Sequence, residues 1–357
     1  MNLPMKSIRP ALCSPIAALL LAGTSPDATI AFGPDEGTTL TKRFENRGTY
    51  DLEDLAFTVD GQDMSVLFGV LELSIDYRSG IALTDVYEKM AEGRPARLLR
   101  TYDEVTGGME VSAGADGDSE SEDMDLSCEL EGVTVLFELD EETGEYTLSY
   151  HEGDGEDEWL EDLEEDTDLR FLLPDGEVSD GDTWDVEVSA FGQLLNPGGE
   201  LPVEFDGLES DDGDDMSDVF GQIGDGASDK LEELFSGECT ATLVGVEEGV
   251  ASIAIELEIA SAVDLTDVME ELMASIGEES GEEMPIVFDI ADMNLDVEAE
   301  GTLLWDLEAG HAVSLTIGSD GVMGFDMAAS AEMMDESSSV EAAVEFAFSM
   351  ASEVVIE

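Results

Sequence analysis

Leu71-Glu72-Leu73-Ser74-Ile75-Asp76-Tyr77-Arg78 decides the fold class, because every second residue is apolar and those between are polar or charged. A period of two puts the four apolar side chains on one face of an extended chain and the others in water, as on a half-buried strand. The same phase returns at Val133, Val135, Phe137 and Leu139 and again at Tyr146, Leu148 and Tyr150. Asp140 to Gly144 lies between those runs and supplies a glycine-containing turn, so the pair predicts a hairpin. Leu295, Val297, Leu303 and Trp305, set against Val313, Leu315 and Ile317 across Glu308-Ala309-Gly310-His311, predict a second. Further strands are expected at Thr183 to Ala190, Cys239 to Val246, Val250 to Ile259 and Val344 to Met350. In each, the acids fall mostly opposite the apolar residues, as in an antiparallel sheet with one solvated face. The chain therefore reads as mainly β with a few helices (α+β): a large curved antiparallel sheet or open half-barrel.

A helical period occurs at Leu265, Val268, Met269, Leu272, Met273 and Ile276, after the N-cap candidate Asp264 and before Gly277. It predicts a helix over 265–276. Ser217 to Phe235 carries a weaker helical pattern interrupted by Gly221, Gly224 and Gly226, and Trp159, Leu160 and Leu163 suggest a short turn. Gly107 to Asp125, Leu208 to Asp215 and Gly277 to Glu283 are rich in glycine, serine and acid and read as loops. The resulting organisation is a signal peptide over 1–31, a β-rich half over 32–206, an acidic loop and weak helix over 207–236, and a second β-rich half over 237–357.

The chain has 12 Lys and Arg against 89 Asp and Glu, a formal charge of -77, yet 43% of its residues are apolar. That apolar content is enough for a core, which argues against the disorder that acidity alone would suggest. Lys6 and Arg9 precede the apolar run Ala11 to Gly23, which is too short to span a bilayer and suits a secretory signal. Thr29-Ile30-Ala31 offers a small-x-small cleavage site before Phe32. Export to the periplasm or the extracellular space follows as the expectation. So does repulsion from nucleic acid and from anionic membrane surfaces, with no membrane insertion after cleavage. Export permits a disulfide between Cys128 and Cys239; two separately buried thiols is the other reading.

No catalytic motif is present. The two histidines, His151 and His311, form no H-E-x-x-H or similar arrangement, and no G-x-S-x-G, P-loop or dinucleotide fingerprint occurs. With 89 carboxylates, no acid/base pair can be selected by sequence. Asp116-Gly117-Asp118-Ser119-Glu120 begins like a calcium loop, but Ser121 stands where the turn glycine belongs and Ser127 where the bidentate Glu belongs. No cofactor is expected, beyond weak calcium association with the acidic surface. Arg78, Lys89, Arg94, Arg97 and Arg100 form a basic cluster within 23 residues. It either faces an anionic ligand or neutralises acids on neighbouring strands.

Gly93-Arg94-Pro95, Asp168-Leu169-Arg170-Phe171-Leu172-Leu173-Pro174 and Gly181-Asp182-Thr183-Trp184, with an echo at Gly301 to Gly318, resemble a pattern in uncharacterised exported bacterial proteins. In those proteins a G-D-T-W segment enters a strand after a leucine-proline turn. The resemblance covers roughly residues 70 to 205. It implies a curved sheet or half-barrel similar to envelope lipoprotein carriers, and it brings no activity or site residues with it. The functional expectation is a non-enzymatic envelope or secreted protein cradling an apolar ligand or an envelope protein. An acidic, cation-associating or salt-adapted surface protein is the second reading, and an unrecognised hydrolase the third.

Overall fold

A computed structural model of the chain describes residues 28–65, 71–115, 118–206, 234–270, 286–333 and 336–357. In chain order the strands are β1 (Ala28–Thr29), β2 (Thr39–Val59), β3 (Gln62–Asp63), β4 (Leu71–Ala91), β5 (Arg94–Ala115), β6 (Asp118–Cys128), β7 (Thr134–Leu139) and β8 (Tyr146–Glu152). They continue with β9 (Glu177–Val178), β10 (Thr183–Asp185), β11 (Val203–Asp206), β12 (Gly237–Glu247), β13 (Val250–Asp264), β14 (Ile286–Asp306), β15 (His311–Met333) and β16 (Glu336–Ile356). Apart from the small β1–β9 pair, the described strands form one open antiparallel sheet with the path β10-β12-β13-β14-β15-β16-β2-β4-β5-β6-β11. β3 pairs with β2, and the β7–β8 hairpin attaches to β5.

The two β-rich halves of the sequence are joined in the middle of this sheet. β16 runs antiparallel to β2 from Val340↔Val59 to Ile356↔Lys42. Six of the described strands exceed 20 residues, which at about 3.3 Å per residue makes the sheet roughly 70 Å long. Over such a length one slip would turn the apolar face outward. Bulges absorb the phase changes instead: at Glu345/Phe346 the β2 phase moves from Tyr50 and Leu52 to Leu55 and Phe57, and the apolar side chains stay on the inner face. The β4–β5 and β12–β13 connections are two-residue turns, Glu92-Gly93 and Glu248-Gly249, with positive φ at both positions, the backbone that matches strand twist.

Both predicted hairpins are present, as β7–β8 and β14–β15. Gly107 to Asp125, expected as a loop, is instead the β5–β6 pair, from Gly107↔Leu126 to Ala115↔Asp118. Its acids hide an inward phase in which Met109 faces Met124, Leu126 lies opposite Gly107 and Val111 lies opposite Glu122. The glycines serve close strand approach: a Cβ on Gly108 would lie 2.7 Å from the Met124 carbonyl oxygen. The strand expected over Thr183 to Ala190 stops at Asp185, and Val188–Phe191 forms a 3-10 turn. A further 3-10 turn covers Asp157–Leu160, where a turn was expected. Residues 266–270 are helical, the start of the predicted 265–276 helix; the remainder lies outside the described residues, as do the loops at 208–215 and 277–283 and nearly all of the 217–235 helix.

Residues 1–27 also lie outside the described residues, whereas 28–31, assigned by sequence to the signal peptide, take part in the fold. Ala28–Thr29 pairs with Glu177–Val178, and Ile30 is 2% exposed in the main core. That core collects inward side chains from β2, β4, β5, β7 and β12–β16, among them Phe44, Leu83, Leu98, Val135, Ile253, Leu303 and Trp305. Residues 157–203, with few strands of their own, lie over it and contribute Leu160, Leu163, Leu172, Val188 and Phe191.

Candidate functional site

The long strands have two ends that differ in what lies over their inner face. At the first, the covering segment is held by a buried charge cluster. Lys42, Asp85, Tyr87 and Arg100 occupy inward positions of β2, β4 and β5, where alternation would otherwise place apolar residues, and each is 0% exposed. Arg100 grips Asp85 through Nε (2.8 Å) and Nη2 (2.9 Å), the bidentate geometry that suits a guanidinium. The Lys42 ammonium uses all three donors, on Asp85 Oδ2 (2.7 Å), Thr167 Oγ1 (2.7 Å) and Asp168 Oδ1 (2.6 Å). Arg100 also donates to the carbonyls of Glu164 and Glu165, both at 2.8 Å, and Tyr87 donates to Asp168 Oδ1 at 2.5 Å.

Two cations and two carboxylates thus balance inside the protein, and they tie residues 164–168 of the cover to the sheet. Burial pushes the Asp85 carboxyl up, but Arg100 and Lys42 outweigh it and hold the group well below the usual carboxylate range. Burial, reinforced by Asp168, pushes Tyr87 well above the ordinary phenol value, and burial raises Tyr102 to about 12. At the cluster's edge, burial raises Glu165 even though Arg170 opposes it. These groups are locked to one another and closed to solvent, so the geometry makes a clamp with no approach for a substrate.

At the second end the inner face keeps its apolar phase but loses its cover among the described residues. Leu52, Leu55, Ile75, Val111, Met124, Val344 and Phe346 are all half-buried. Over β13–β15 the face is partly roofed: Val268 and Met269 of the 266–270 helix, like Met293 and Phe325 of the sheet, pack against a buried cluster of Leu234, Val263, Leu265 and Ala291. Where the two ends meet, a cavity of about 310 Å³ opens between the sheet and the edge of the cover. Tyr77, Ile81, Val105 and Leu126 line one side, Leu195 and Leu201 the other, with Asn196 and Glu200 at the cover. Asn46 seals the covered side by donating to the Leu194 carbonyl at 2.9 Å.

The basic residues singled out in the sequence do not converge. Arg100 is the buried clamp residue. Arg97 pairs with Glu88 (2.5 Å) and with Glu138. Arg94 lies over the Tyr146 ring and reaches the Gly144 carbonyl. Arg78 stands on the outer face 3.8 Å from Asp125, and Lys89 is exposed on β4. Cys128 and Cys239 are free thiols, Cys239 raised by burial to about 11. Asp118, Ser119 and Glu120 of the calcium-like segment belong to β6, while 116–117 lie outside the described residues. No group of three or more His, Cys, Asp or Glu suited to a metal occurs among the described residues. His311 sits at the β14–β15 turn, its Nδ1 2.7 Å from the Ala312 carbonyl oxygen.

In the G-D-T-W segment, Gly181 has φ +88° and Trp184 donates its indole N–H to the Leu172 carbonyl at 3.0 Å, tying the turn to the first residues of β10. Lys42, Asp85, Tyr87 and Thr167 were missed by the sequence reading. The available signal was a charged residue at an inward position, Lys42 between Leu40 and Phe44 and Asp85 between Leu83 and Tyr87.

No protein-family model matches the chain. No curated protein matches it. Among solved structures, the secretin-domain β-barrel of InvG from the Salmonella SPI-1 injectisome aligns at 10% identity with a TM-score of 0.12. The alignment covers 89% of this chain and 61% of that one, a likeness too slight to carry an argument. Among the described residues no helix is long and apolar enough to cross a membrane, a statement that does not bear on membrane-crossing strands.

Proposed function

We propose that this is a non-enzymatic exported protein, of the envelope or secreted, that holds an apolar ligand against the uncovered inner face of its sheet. One observation carries the reading: the apolar face of β2, β4–β6 and β16 continues past the end of the cover as a half-buried wall, among the described residues, with a cavity at its inner limit. A contiguous apolar face left without a covering layer commonly marks a place where something binds. Concave, mostly apolar sites bounded by a few polar groups are what small-ligand sites require. Export rests on the Lys6–Gly23 segment of the sequence.

The test is binding of Nile red, a neutral probe whose emission rises in apolar surroundings, to the folded chain. Wild type should enhance its emission. Leu55→Asp combined with Ile75→Asp, which place carboxylates on the wall and leave the clamp intact, should abolish most of the enhancement while the circular dichroism spectrum stays unchanged. An undiminished signal in the folded double variant, or none in wild type, would overturn the reading.

A second reading, an acidic surface adapted to salt or cations, is favoured by one specific feature of the outer face. Glu238, Glu258, Glu298 and Asp320 are direct cross-strand neighbours on four successive strands, β12 to β15. Like charges directly opposite destabilise a sheet unless they are screened. Calorimetric titration with calcium checks it: heat and a raised melting temperature at millimolar calcium support cation association, and the absence of both removes calcium from the reading.

A further inference from the structure

Resting on the ligand-holding reading above, we propose that the occupant is a single-chain aliphatic amphiphile whose head group is not anionic, its tail end seated in the cavity at the edge of the cover. The cavity, about 310 Å³, lies at the small end of the range for ligand sites. It is too small for a bulky ring system together with its head group, and apart from Tyr77 its apolar side chains are aliphatic, among them Ile81, Val105, Leu126, Leu195 and Leu201, with Ser79, Thr106, Asn196 and Glu200 between them. On one side it is closed, because Ile81 and Val105 belong to the main core and Asn46 ties Leu194 down. On the other it is continuous with the wall: Ile75 follows Tyr77 along β4 on the same face, and Met124 precedes Leu126 along β6. A flexible chain too long for the cavity therefore lies outward along an apolar track. From Ile81 to Leu73 that track is roughly 25 Å long at about 3.3 Å per residue.

Charge selects the head group. Glu122 lies opposite Val111, itself opposite Ile75, on the inner face beside the outer part of the track, and the chain as a whole carries -77. An anionic head held at the apolar wall would face this field in a region of lowered dielectric, where like-charge repulsion is strongest.

The experiment compares monoolein with oleate, which share one hydrocarbon chain and differ in head-group charge, by calorimetric titration of the delipidated full chain below the aggregation concentration of each lipid. In low salt monoolein should bind at least about tenfold more tightly than oleate, and the gap should narrow in high salt as repulsion is screened. Leu201→Trp, and independently Leu126→Trp, should each fill the cavity and weaken monoolein about tenfold, with the melting temperature monitored to show that at least one variant is folded. Equal affinities at low salt overturn the head-group assignment and leave the ligand-holding reading standing. Unchanged monoolein affinity in a folded tryptophan variant overturns the seat. Binding of neither lipid, together with a wild-type dimer in sedimentation, places a second copy of the chain on the wall and overturns the proposal. The same result with a monomer leaves the wall to the chain's own residues and overturns it equally.

Discussion

Residues 40–46 and 52–59 belong to the same strand and both turn apolar side chains to the inner face, yet they live in different surroundings. Leu40, Lys42, Phe44 and Asn46 are at most 3% exposed, whereas Leu52, Leu55 and Val59 are only half-buried. The strand itself does not account for the difference. What changes is the layer above it, residues 157–203 fastened by Lys42, Asp85, Arg100, Thr167 and Asp168 at one end and absent among the described residues at the other. Alternation therefore encodes which way a side chain points, and a separate device decides whether that direction leads into a core.

The clamp is the largest lever on this contrast. Asp85→Ala leaves Arg100 and Lys42 buried with too little countercharge, and breaking a buried pair from one side costs about 3–5 kcal/mol. Leu55→Ala at the uncovered end should cost about 1 kcal/mol, since a half-buried side chain gives up only part of its transfer energy. Urea unfolding of the two variants checks this, and equal losses would erase the distinction between the ends. Replacing the charges together with apolar residues of similar volume should recover much of the loss, which would identify the clamp as a device for register more than for stability.

pH acts on the same end. The Asp85 value is depressed in the folded state, so its stabilisation is complete above pH about 4 and is lost as the pH falls from there toward the folded value. The gap in stability between wild type and Asp85→Asn should shrink below pH 4. Tyr102 is raised, so the stabilisation from its neutral phenol is complete below pH about 10 and disappears as the pH rises through about 12. Tyr102→Phe should flatten the alkaline limb by roughly 2–3 kcal/mol. An alkaline limb identical in both proteins would show that the covered end opens before its phenols titrate.

Salt has the smallest effect per group and acts on the outer face common to both ends. Each facing pair in the row Glu238, Glu258, Glu298 and Asp320 costs roughly 0.2–1 kcal/mol, relieved as the Debye length falls to about 3 Å at 1 M. The melting temperature should rise with sodium chloride, and Glu258→Gln with Glu298→Gln should raise it at low salt and reduce the slope. A flat response would mean that repulsion does not limit this sheet.

Much of the sheet was legible because its strands repeat one phase, and Leu71 to Arg78 already states it. Gly107 to Asp125 was not, because its acids and glycines outnumber Met109, Val111 and Met124, and only the partner strand explains why Gly108 must be small. The clamp was hidden for a different reason. Lys42 is separated from Asp85 by 43 residues and from Asp168 by 126, so each looks like an error of alternation until the partner is known. The cavity was equally unreadable, since it arises where a strand-poor segment ends above a sheet.

The β2–β16 ladder sets a condition on how this molecule is assembled. The central seam of the sheet joins residues 42–59 to residues 340–356, so one edge of β2 can pair early with β4 while the other waits for residues about 300 positions further along. Closing loops of that size before their contacts reward it makes folding slow, and each waiting strand shows a bare edge and an apolar face to its neighbours. A charge of -77 makes such half-assembled chains repel one another, a repulsion that would act against aggregation before the native state exists.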